Sequence, residues 1–168
     1  MKDTIDISTW LPTSQLIAYD YDPTVVYDPE LKLLRHSIKT NGWIQPILVS
    51  KDYEIIDGFH RWWATSHDKE LAKLTDGKVP CAILDVTPSD RMMLTIRINR
   101  AKGNHVAIKM HEIIEKLYTD YELTIDQIKT GIGATKAEVE LLLMQDVFDK
   151  KNIKEHKYSK AWEQEREK

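Results

Sequence analysis

Three short apolar runs constrain the fold most: "PILVS" at 46–50, "YEIID" at 53–57 and "VPCAILDV" at 79–86. Each is too short for a buried helix and is bounded by turn residues, so each reads as a strand. The first two flank the turn Lys51-Asp52. Between and around them lie stretches of helical spacing. Asp28-Pro29 has the form of an N-cap and a first-turn proline, and Leu31, Leu34 and Ile38 then fall on one face before Gly42. Residues 60–74 read as one helix closed by Asp76-Gly77, and Thr87-Pro88-Ser89-Asp90 opens another. This alternation predicts an α+β protein, with a mixed α/β domain over residues 1–106.

Beyond that point the character changes. Met110, Ile113, Ile114, Leu117, Tyr118 and Tyr121 keep helical spacing. Thr124…Gln127 and Thr135…Glu138 are capping-box patterns that open two short helices around Gly131 and Gly133. Residues 107–148 therefore read as a small helical subdomain with a helix-turn-helix. Residues 149–168 are mostly charged and read as a tail, in which Trp162 is out of place.

Composition narrows the chemistry. Apolar residues make up 42% of 168, enough for a core, and the formal net charge of −3 makes any anion site local. Cys81 is the only cysteine, so disulfides and cysteine-rich zinc sites are excluded. "MKDTIDISTW" has no apolar signal region and no window approaches 18 apolar residues. A cytoplasmic protein without a membrane partner is expected.

Two constellations point to an anion. Asp57-Gly58-Phe59-His60-Arg61 follows a strand and precedes a helix. A helix start offers backbone N–H groups and a positive dipole end, Gly58 permits close approach, and His60 and Arg61 add donors. The residues alone also fit a plain strand-to-helix turn with a surface arginine. From Arg91 to Lys109 there is no Asp or Glu, while Arg91, Arg97, Arg100, Lys102, His105 and Lys109 all fall there. Cations complementing a helix C-terminus would account for part of this. Asp57 is open to three readings: a cap for the next helix, a group handling a metal or an acceptor proton, or a partner for an arginine of that segment.

Four boxes in register resemble the ParB/sulfiredoxin superfamily: "NGWIQPILVS", "YEIIDGFHRWWA", "IRINRAKGNH" and "LTIDQIKTGIGATKAEVELLL". Within it, "DGFHRW" and the late "YSKAW" are most similar to small ParB-like proteins described as co-activators of prophage gene expression. The resemblance implies a nucleotide site for ATP or CTP, with magnesium left open. Gly58, His60 and Arg61 would grip phosphates, with Asn99, Arg100, Lys102 and His105 completing the cradle. The chain departs from the ParB CTPases at Phe59 and Ile98, where those proteins carry metal-serving glutamates. It departs from sulfiredoxins at Phe59, where they carry the catalytic cysteine.

The leading expectation is a nucleotide-binding regulator at DNA or on a transcription partner. The alternative is a small-molecule kinase of the free-serine-kinase type, with Asp57 or Glu30 serving the acceptor hydroxyl. A nuclease ranks last for want of an acidic metal cluster. Residues 121–148 hold two lysines against five acids, so weak, non-specific DNA contact is assigned to Arg97, Lys102 and Lys109. A partner protein and a homodimer stay open.

Overall fold

In the computed structural model the described residues are 8–18, 28–102 and 107–144, with residues 8, 28–30 and 107–109 described in backbone alone. They group into two compact units that divide between Arg91 and Met92, inside a helix. That division lies upstream of the change in sequence character near residue 106.

The first unit is built on a four-stranded mixed sheet: β1 (Ser8–Pro12), β2 (Ile47–Ser50), β3 (Ile55–Asp57) and β4 (Lys78–Leu84), in the order β1-β4-β2-β3. β4 runs antiparallel to β1 and parallel to β2, and β2 runs antiparallel to β3. Val79, Pro80, Cys81 and Ala82 are all buried, as an interior strand covered on both faces requires. The β2–β3 register slips between Leu48 and Val49, so Ile56 is the extra residue of a bulge just before Asp57. Leu16, Ile47, Val49, Ile55, Val79 and Cys81 form one core cluster.

Helices α1 (Asp28–Asn41), α2 (Phe59–His67) and α3 (Lys69–Leu74) accompany this sheet. Leu31 and Ile38 of α1, Ala64 of α2 and Leu71 of α3 form a second cluster, with Leu34 packed against it, which is the face that the spacing predicts. The stretch 60–74 is two helices rather than one. Asp68 breaks it, because its carboxylate accepts the N–H groups of Glu70 and Leu71 and so caps a new helix. β1 was not anticipated at all. Its five residues, Ser-Thr-Trp-Leu-Pro, carry no long apolar run, and they become a strand by pairing with β4.

α4 (Pro88–Ala101) begins as the sequence predicts: Thr87 Oγ1 accepts the Asp90 N–H at 3.2 Å. The second unit, from Met92, adds α5 (Ala107–Thr119), α6 (Ile125–Ile132) and α7 (Lys136–Leu143). Ile114, Leu117, Ile128, Ile132 and Val139 are its buried centre. Both halves of the Thr124–Gln127 capping box are made, and Gly133 turns the chain at φ 67°. Thr135 caps α7 by accepting the Glu138 N–H. Among the described residues, no helix is long and apolar enough to cross a membrane.

Candidate phosphate-binding turn

β3 ends at Asp57, Gly58 takes φ 99° and ψ 19°, and α2 starts at the next residue. Only glycine holds that left-handed conformation without steric cost. Trp62 anchors the helix start by donating its indole N–H to Thr13 O at 2.9 Å. Phe59 packs into the sheet core and against Trp62, with ring centroids 5.4 Å apart. Its neighbour His60 is exposed and meets the Phe59 ring edge-on at 6.0 Å. The partial positive charge of a helix start falls at this end of α2, where the Arg61 N–H already donates to Gly58 O at 3.0 Å.

Arg61 points elsewhere than the resemblance implies. Its Nη1 donates to the carbonyls of Gln45 and Pro46, at 2.8 and 2.9 Å, and its Nη2 donates to Asp57 Oδ2 at 3.2 Å. The side chain is 14% exposed, and burial lowers its pKa more than the Asp57 carboxylate raises it. Asp57, 19% exposed, is thus paired with an arginine of its own turn, and the N-cap position belongs to Gly58. Sequence reasoning missed the Gln45 and Pro46 carbonyls. Main-chain acceptors carry no residue-type signature.

The cationic segment is less of a patch than its composition implies. Arg91 is buried and forms an ion pair with Glu54 at 3.0 Å, both within the first unit. Arg100, in the second unit, is bound to Glu138 and to Gly133 O. Arg97 and Lys102 are exposed, and Asn99 is half-buried. His105 and the side chains of Lys109 and Glu30 lie outside the described residues, as do Trp162 and the tail. Among the described residues no group of three or more His, Cys, Asp or Glu side chains could hold a metal. Phe59 and Ile98 put apolar groups at the two positions where the resemblance implies acids.

The profile of the ParB N-terminal domain matches residues 2–100, more than half of the chain. The Escherichia coli (strain K12) protein YbdM is 34% identical over 166 residues, covering 96% of this chain and 78% of YbdM. The chromosome-partitioning protein ParB of Myxococcus xanthus is 32% identical over 133 residues, 77% of this chain but 43% of that protein. The match therefore spans less than half the length of that partitioning protein. Among solved structures, the C-terminally truncated chromosome-partitioning protein ParB of Caulobacter crescentus, complexed to the centromeric parS site, matches with a TM-score of 0.51 and 22% identity. That match covers 80% of this chain and 70% of that one, and it shows a shared fold.

Proposed function

The chain belongs to the ParB N-terminal domain family, and from that premise we propose that its first unit is a nucleotide-phosphate-binding module of a regulatory protein working at DNA. One observation carries the nucleotide half: β3 runs through a left-handed Gly58 directly into the start of α2, beside an exposed His60. Backbone N–H groups and an imidazole at a helix start suit a phosphate. Membership of the family supports the same use. The DNA half rests on the chromosome-partitioning role carried in the name of the Myxococcus relative.

The kinase alternative needs a carboxylate available to an acceptor hydroxyl. Of the two candidates, Asp57 is already paired with Arg61, which favours the binding reading, and the side chain of Glu30 lies outside the described residues. With Phe59 and Ile98 at the positions where the resemblance implies metal-serving acids, the donor set does not suit a magnesium ion.

Calorimetry on the full chain with CTP and with ATP tests the reading. Wild type should bind one of them, and His60→Ala should bind it roughly tenfold more weakly, as the loss of one charge-assisted contact implies. Absence of heat with both nucleotides, or equal binding by the variant, would overturn it.

A further inference from the structure

We infer that Arg61 is a positioning residue of this turn and not a phosphate ligand; the inference rests on the nucleotide-binding reading above and assigns a role within that site. A guanidinium has five donors in a rigid planar fork. Three of them are placed on Gln45 O, Pro46 O and Asp57 Oδ2. The group thereby ties the segment before β2 to the end of β3 and the start of α2. Swinging it onto a phosphate would strip two carbonyls of their donor and leave a largely buried carboxylate without this partner, a cost that a single new contact does not recover.

Gly58 takes on a second meaning. A Cβ built there would stand 3.0 Å from Arg61 Nη2, 3.3 Å from Arg61 Cζ and 3.2 Å from Ile47 Cγ1. The close approach that glycine permits at this point is made by the arginine of the same turn. Gly58 and Arg61 therefore act as one unit. The bare backbone admits the guanidinium, and the guanidinium fixes the left-handed turn from which the first N–H groups of α2 emerge. His60 is exposed at this helix start.

Lysine and arginine separate the two roles. A lysine at 61 keeps a point charge for a phosphate, but its single ammonium cannot reproduce the fork across two carbonyls and a carboxylate. The test titrates wild type, Arg61→Lys and Arg61→Ala with CTP, CDP and CMP, and follows hydrogen exchange at residues 44–48 and 58–60 without ligand. The expected result is that both variants lose roughly tenfold for all three nucleotides alike, with faster exchange at 44–48. Wild-type affinity in Arg61→Lys overturns the inference. So does a loss that steepens from CMP to CTP with exchange unchanged, the behaviour of a phosphate contact. Should neither variant fold, Asp57→Ala removes the side-chain acceptor of Arg61 Nη2, and unchanged exchange there overturns it too. If wild type binds none of the three nucleotides, the proposed function fails, while the exchange comparison still decides whether Arg61 fixes the turn.

Discussion

Arg100 on α4 grips Glu138 on α7 through both terminal nitrogens, with Nη2 at 3.4 Å from Oε2, and the same Nη2 lies 3.4 Å from Gly133 O. One side chain thus contacts both the turn and the second helix of the helix-turn-helix. The two side chains are 24% and 35% exposed, so solvent weakens the pair. A double-mutant cycle on Arg100→Ala and Glu138→Gln should give a coupling of about 0.5–1 kcal/mol in urea unfolding, shrinking as salt is added. A coupling near zero at low salt would remove this bridge from the stability of the second unit.

The same unit holds a tight helix contact at Gly131. A Cβ there would lie 2.1 Å from Met93 Sδ and 3.3 Å from Met93 Cε and Cγ. Alanine in mid-helix normally gains about 0.5–1 kcal/mol over glycine, but overpacking costs about 1–3 kcal/mol. Methionine is flexible enough to yield part of that. Gly131→Ala should therefore be destabilised by about 1 kcal/mol net. Thermal unfolding of Gly131→Ala/Met93→Ala checks the cause: if Met93 is the obstacle, the second change should cost less in the Gly131→Ala background than alone.

Asp68 should make the first unit acid-sensitive. Burial pushes its carboxyl upward, but the Leu71 N–H, Lys39 and the Glu70 N–H together hold it below its ordinary 3.8. A folded-state value below the unfolded one means that the stabilisation is complete above about 3.8 and is lost as pH falls through the folded value. Asp68→Asn keeps the cap and loses the charge, so its stability should respond less to pH between 5 and 3, in units set by the wild-type titration. Asp68→Ala should lose about 1 kcal/mol at pH 7. Parallel denaturant curves at the two pH values distinguish the variants.

The pattern of what was legible in the sequence has physical causes. Local rules found α1 from Leu31, Leu34 and Ile38, the strands β2 to β4 from short apolar runs, and the caps at Thr87, Thr124 and Thr135. These depend on neighbours within one helical turn or one strand. β1 depends on pairing Trp10 with Pro80, seventy positions on, and nothing within 8–12 announces it. Asp68 was hidden because the good helix formers Lys69, Glu70 and Leu71 follow it directly, with no glycine or proline to mark a break. The turn at 57–61 was found, but its internal wiring was not. Arg61 is satisfied by carbonyls, which every residue possesses, and Arg91 by Glu54, a partner on the far side of α2 and β4 in sequence. Composition counted both arginines as available; burial committed them.

DNA contact should come from α4 and not from the helix pair α6–α7. Lys129 is paired with Asp126 at 2.6 Å, Lys136 faces Glu140 at 3.7 Å, and Glu138 of α7 holds Arg100. Carboxylates thus answer the two lysines of this pair, which leaves little net attraction for phosphates. Arg97 and Lys102 are exposed on and just after α4. Each phosphate contact releases counterions, so each removed cation should flatten the slope of log K against log salt by about 1. Gel shifts from low to moderate salt should show Arg97→Ala and Lys102→Ala binding random duplex more weakly and with shallower slopes, with Lys136→Ala close to wild type. The opposite pattern, in which Lys136→Ala abolishes binding to one sequence while the other two behave as wild type, would make α7 a reading helix. The Glu140 pairing would then have to open on DNA.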